Sequence, residues 1–535
     1  MRRTGSIIGT GAALALAAAL LGPAPSGLAA SQHKAINCAE SENLCAEVAD
    51  PSAFGGYYVG HDEPALLFYS NKAGSGNNVR YELTLPSDPP SVPLTTGKSF
   101  NFQLHPTFWF GMAMCDTQSY PEQINTCTPD SDSNILDPAV SPRHAGTAFT
   151  ELQFYPPGWV GWPQNAGSCD PVQWCAALNI FSFIRNPVTG QDLNATCQSL
   201  VSIEPGNFAF LTRDGRVPAG APPNPVNSTV QTFTPDRARD LFMSSGDRLV
   251  VTMHDTPHGL QTDVQDQTSG AFGTMTASAA NGFGQVQFAP DPSKSCTNIP
   301  YDFHPMYSTS SEQTRVIWTA HSYNIAFSDE IGHFDFCSNV APNRKCSQRE
   351  GSAADLEISD KDDNFCFNPQ LATQVQVSGC TDSNTGFDGA SYQAVWPDGN
   401  TADHPSPVLF SSPTIGPGYN QNFDRTAFEA DLPRVEAADF NGPCDRSTGT
   451  GCTRIPVTDD GVPASFYPFF STTSQGGVCR WAIGNDVPAT TNDFGRNDQY
   501  GPLLFLDYLI VGGGGAVLTR TNDFRQVLTF QPCPN

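Results

Sequence analysis

Positive charge is scarce in this chain. Lysine and arginine number 27 against 53 aspartates and glutamates, a formal charge of −26. Such a polyanion repels nucleic-acid phosphates and anionic lipid headgroups, so neither is an expected partner, and the charge also favours solubility. Long apolar runs are equally scarce. Ile7 to Leu21 is shorter than the roughly 20 residues a membrane helix needs, and nothing later approaches that length. There is no CxxC pair, phosphate loop, dinucleotide fingerprint, HExxH, GxSxG elbow or basic aromatic patch. Their absence argues against cysteine-bound zinc, nucleotide chemistry, zincin peptidases and elbow-type serine hydrolases. Amphipathic helices are missing too, and 45 prolines are too many for a helical protein.

What is present begins with an export signal. Arg2 and Arg3 precede the apolar run, Gly22, Pro23 and Pro25 break it, and Gly27 to Ala30 supply small residues for cleavage. A signal peptide over 1–30 predicts a secreted mature chain from about Ser31, free of the membrane. Losing two arginines takes its formal charge from −26 to −28. Sixteen cysteines follow the signal, an even set that in an exported chain predicts disulfides. Short loops suggest Cys38–Cys45, Cys115–Cys127, Cys169–Cys175, Cys366–Cys380 and Cys444–Cys452.

With 47 glycines and 35 phenylalanines, the composition is that of a turn-rich β protein. Residues 99–105 alternate apolar and polar, as a half-buried strand does, and 108–114 (FWFGMAM) is apolar throughout, as a central strand is. Residues 147–155 (TAFTELQFY) alternate with a break in parity that suggests a bulge. Residues 174–183, 207–211, 274–277 and 284–288 read as further strands. Leu241 to His254 reads as a hairpin arm turning at Ser244 to Asp247. The predicted fold is all-β: an antiparallel β-sandwich, one large or two in tandem, over 31–340. A smaller disulfide-bound β domain follows over 341–535, and the Pro/Gly/Asn-rich stretch 205–236 is a possible sub-boundary.

Several phrases, FGMAMCDTQSYP at 110–121, ELQFYPPGW at 151–159, HSYNIAFSDEIGHFDFC at 321–337 and FDGASYQAVWP at 387–397 among them, resemble a family of secreted actinobacterial proteins of similar length. The resemblance spans nearly the whole mature chain. It implies export and a shared two-part layout, and it carries over no catalytic residue.

Chemistry is densest between Tyr301 and Cys337, where His304, His321 and His333 stand among aromatics with Asp329, Glu330 and Asp335. The leading functional expectation is a hydrolase or binder of an extracellular polysaccharide. Glycosidases need two carboxylates roughly 5–10 Å apart and aromatic faces for sugar rings. Glu151, Asp116, Glu330 and Asp335 are the candidate acids; Trp109, Trp159 and Trp162 are the candidate stacking surfaces. A glutamic peptidase would instead pair Glu151 with Gln153. The second expectation is a metal-dependent, copper-type oxidoreductase using His254, His258, His304, His321 and His333, with Met306 as a soft ligand. HxxxH at 254–258 puts both histidines on one face only in a helix, which Pro257 opposes. The third is a non-enzymatic surface or adhesion module. Calcium is a possible cofactor, since Asp130, Asp132 and Asn134, and Asp382, Asn384 and Asp388, alternate side-chain oxygens in tight turns. No nucleotide cofactor is expected.

Overall fold

Alternation decides which strands have a wet face. In Arg248–Thr256, Leu249, Val251 and Met253 are buried while Val250, Thr252 and His254 are half-buried. Gly259–Asp266 and Asn78–Thr84 repeat this pattern. These three strands pair antiparallel and in register, so their apolar sets share one side. By contrast, Phe108–Cys115 and Trp174–Ser182 are buried at every position. They flank Thr147–Tyr155 at the heart of a second layer.

The computed structural model describes residues 65–70, 75–87, 99–102, 108–118, 147–155, 169, 173–182, 185–186, 191–192, 195–201, 205–287, 296–305, 326–329, 334–340, 346–349, 406, 408–432, 470–475, 478–483, 490–494, 503–508, 520–528 and 533. They form an all-β, sandwich-like fold with one short helix, Ala195–Val201. The first sheet runs Phe242–Met243, Trp174–Ser182, Thr147–Tyr155, Phe108–Cys115, Ala326–Asp329, Ala65–Tyr69, Arg425–Leu432, Arg520–Leu528, Leu503–Tyr508, with Gly206–Phe210 beside Trp174–Ser182. The second runs Phe272–Thr276, Gly259–Asp266, Arg248–Thr256, Asn78–Thr84, Leu409–Phe410, Val478–Ile483, Phe470–Gln475, Thr490–Phe494. Thr414–Ile415 also pairs with Asn78–Thr84.

One apolar core joins the layers. Phe68 and Phe110 of the first sheet meet Tyr81 of the second at ring distances of 6.3 and 4.1 Å, and Phe110 meets Phe410 at 6.1 Å. Three disulfides lie among the described residues. Cys169–Cys175 matches a short loop expected from spacing. Cys197–Cys296 and Cys479–Cys533 join residues 99 and 54 apart and were not legible from spacing. Among the described residues no helix is long and apolar enough to cross a membrane.

Two expectations meet a different arrangement. The hairpin read at 241–254 is a corner: Phe242–Met243 pairs with Trp174 and Cys175 in the first sheet, while Arg248–Thr256 belongs to the second. The apolar Phe242–Met243 is buried within one layer, so Ser244 to Asp247 carries the chain across rather than back. The bulge read in 147–155 is absent, since all eight pairs with Phe108–Cys115 are in register. Phe149 simply lies on the face opposite Leu152 and Phe154. Each sheet contains strands from both sides of residue 340. Ala65–Tyr69 pairs with Arg425–Leu432, and Asn78–Thr84 with Leu409–Phe410. The stretch 205–236 likewise begins with a first-sheet strand, after which Thr212 bridges to Thr274 of the second sheet.

Candidate functional site

Glu151 belongs to the face of the first sheet that turns away from the shared core. It stands opposite Gly111 on one neighbouring strand and Asn179 on the other. The Phe149 ring lies so close over Gly111 that a Cβ there would sit 2.5 Å from it. Gln153 Nε2 donates to Glu151 Oε2 at 2.5 Å, Asn179 Nδ2 donates to Gln153 Oε1 at 2.7 Å, and the Tyr155 hydroxyl donates to the same oxygen. Donors thus gather on the carbonyl side of one amide, whose NH₂ serves the carboxyl. All of it is buried: Glu151 is 0 % exposed and Gln153 1 %. Trp109 is also 0 % exposed and packs edge-on to Phe149 at 5.4 Å. It offers no open face to a sugar.

Asp116 is equally buried but sits elsewhere. It accepts from Ser182 Oγ at 2.5 Å, Gln285 Nε2 at 2.7 Å and the Gln118 N–H at 2.7 Å. Five residues separate it from Gly111, which puts Asp116 and Glu151 about 16 Å apart along the strands. That exceeds the span two glycosidase carboxyls share. Asp335 lies opposite Asn101 in a separate three-stranded sheet.

Residues 301–305 meet the end of Phe108–Cys115 and the start of Gly259–Asp266 at one rim. The Cys115 N–H donates to the His304 carbonyl at 2.8 Å, and the Leu260 N–H to the Phe303 carbonyl at 2.7 Å, so residues 301–305 strap the two sheets together. There His304 Nδ1 meets Asp255 Oδ1 at 2.7 Å, both side chains about one-fifth exposed. Behind them burial, then the charges of Asp116 and Asp302, push the Tyr301 hydroxyl above the ordinary phenol range. His258 is exposed in the two-residue turn Pro257–His258, whose hairpin closes through Thr256 and Gly259. His254 points to the opposite side of its strand from Asp255. His254, His258 and His304 thus do not converge on one point, and among the described residues no group of three or more His, Cys, Asp or Glu suits a metal ion. His321, His333, Met306, Glu330, Trp159, Trp162 and both candidate calcium loops, with Asp130, Asp132, Asn134, Asp382, Asn384 and Asp388, lie outside the described residues.

The open polar surface is the outer face of the second sheet, a feature the sequence reading missed. Register places three rows across four strands: Asn78–His254–Gln261–Thr276, Arg80–Thr252–Asp263–Thr274 and Glu82–Val250–Gln265–Phe272. Gln261 Nε2 donates to Asp263 Oδ1 at 2.9 Å, and Arg480 binds Glu82 at 2.9 Å. Arg80 and Arg480 offset Glu82 and Asp263 in charge, and Arg248 at the end of its strand adds one further cation.

Tyr419, in the turn between Thr414–Ile415 and Gln421–Asn422, has its hydroxyl within the electrostatic reach of Asp263 and Arg80 of the middle row. Burial first, and then the charge of Asp263, raise its hydroxyl above the ordinary phenol value, while Arg80 lowers it. Its φ is +50°, and it is the one non-glycine residue with positive φ among the described residues. A bulky side chain is rarely held in that conformation. The signal in the sequence was GPGYN at 416–420, a turn with an aromatic where glycine or asparagine is usual. Comparison with family models, with curated proteins and with solved structures found no match.

Proposed function

We propose that this is an exported glycan-binding protein whose binding surface is the outer face of the second sheet. The observation that carries the reading is Tyr419, held at φ +50° with its hydroxyl in the field of Asp263 and Arg80 of the middle row. Sugars are bound by planar polar side chains that meet hydroxyl groups and by aromatic rings that meet C–H faces. Arg80, Asp263, Gln261, Gln265 and Asn78 are the planar groups here, and Tyr419 is the ring. A face whose charges nearly cancel, on a chain of net charge −26, favours an uncharged polysaccharide over a polyanion. Export is supported by the signal-like N-terminus and the disulfides.

Affinity electrophoresis through gels containing an uncharged glucan or mannan tests it. Wild type should be retarded, and Tyr419→Ala should lose about 5- to 30-fold in affinity, the contribution of one aromatic anchor. Equal retardation of the two proteins, or retardation only by an anionic polysaccharide, would refute the reading.

The Asp255–His304 contact favours a second reading, in which the protein also cleaves what it binds. A carboxylate on Nδ1 orients an imidazole for acid–base work. If that holds, His304→Gln should abolish reducing-end release while leaving gel retardation intact.

A further inference from the structure

A hydroxyl, an amide and a carboxyl meet just beyond Phe108–Cys115, and neither reading uses them. Thr117 follows that strand by two residues, and Gln285 is the middle residue of the short strand Gly284–Val286. The two lie 168 residues apart in sequence, yet the Thr117 hydroxyl donates to Gln285 Oε1 at 3.1 Å. The amide carbon is one bond, about 1.2 Å, from that oxygen. The other end of the same amide is engaged as well: Gln285 Nε2 donates to Asp116 Oδ1 at 2.7 Å. Asp116 is 0 % exposed and Gln285 1 %, while Thr117 is half-buried. Both sides of the contact are anchored. Asn207 of the first sheet grips Gly284, its Nδ2 donating to the Gly284 carbonyl at 3.0 Å and its Oδ1 accepting the Gly284 N–H at 2.9 Å. Ser182 Oγ and the Gln118 N–H hold Asp116.

We propose that Thr117 and Gln285 join in an intramolecular ester, formed by the folded chain itself. Thr117 Oγ attacks the Gln285 amide carbon; the Oγ–Cδ bond forms and the Cδ–Nε2 bond breaks. Asp116, already on Nε2, relays the hydroxyl proton to the departing nitrogen. Hydroxyl and amide thus become ester and ammonia, with nothing oxidised or reduced. An amide is a poor acyl donor, and the fold offsets this by holding nucleophile, amide and proton carrier in contact. Burial of Gln285 and Asp116 keeps water from the product. The link closes a loop far longer than the Cys197–Cys296 disulfide does, so it restrains the unfolded chain more. Val286 packs on Cys197, so ester and disulfide brace the same small sheet, and the ester survives reduction.

Intact-mass measurement of the full mature chain, followed by peptide mapping, tests this. The chain should be lighter by one ammonia than its sequence and disulfides require, and one branched peptide should carry residues 117 and 285 together. Hydroxylamine should split that peptide. Thr117→Val and Asp116→Asn should each have full mass, whereas Thr117→Ser should keep the link. If a variant does not fold, the mass and peptide map of the parent decide alone. A parent of full mass, an ammonia loss that maps only to other residues, or a loss that persists in Thr117→Val overturns the inference.

Discussion

Asp240 shows how one buried side chain sets a pH response. It is 2 % exposed, and burial raises its carboxyl from 3.8 to about 6, against the Asp236 backbone N–H and the charges of Arg239 and Arg213. The folded form binds the proton more tightly, so its stabilising effect is complete below pH 3.8 and lost as pH rises through about 6. Asp240→Asn should therefore stabilise the protein at neutral pH by up to about 3 kcal/mol, an advantage that disappears near pH 4, as urea unfolding at the two pH values would reveal. Glu151 makes a different case. Glu151→Ala strands the Gln153 amide and leaves a void, which should cost about 2–4 kcal/mol in the same assay, whereas Glu151→Gln should cost less. The acid–amide pair was visible in the sequence, since Glu151 and Gln153 sit two apart on a strand. Its burial was not, because alternation gives the face of a residue but not what covers that face. Trp109 misled for the same reason.

At the scale of elements, strands were legible wherever period-two patterning or continuous burial was strong, as in 108–114 and 248–253. Connections were less so. Ser244 to Asp247 has hairpin chemistry, yet its flanking strands belong to different sheets, and turn residues do not encode the partner of a strand. Gly111 shows the close fit between neighbouring strands: Gly111→Ala would press a methyl into Phe149 and should lower stability by about 1–3 kcal/mol, measurable by thermal unfolding. The outer face was missed because its residues are ordinary one by one. Register across Asn78–Thr84, Arg248–Thr256 and Gly259–Asp266 is what makes rows of them, and register depends on pairings distant in sequence.

For the whole molecule, the sandwich class was legible from composition, while the interleaving of the chain was not. Strands from both sides of residue 340 hydrogen-bond to one another in both sheets, and Phe410 and Trp481 share the core with Phe110. Residues 31–340 alone should therefore show no cooperative unfolding transition; a sharp one would mean that the first part folds by itself. Long-range cross-links serve the same architecture. Replacing Cys197 and Cys296 together by alanine opens a loop of 99 residues and should cost about 5 kcal/mol in the chain-entropy picture. The central claim is that an uncharged glycan lies on the outer face of the second sheet beside Tyr419. Amide hydrogen exchange with and without saturating uncharged polysaccharide tests it most directly. The account predicts added protection in 78–84, 248–266 and 414–422, with 108–115 and 147–155 unchanged; protection confined to the latter pair of strands, or none anywhere, would contradict it.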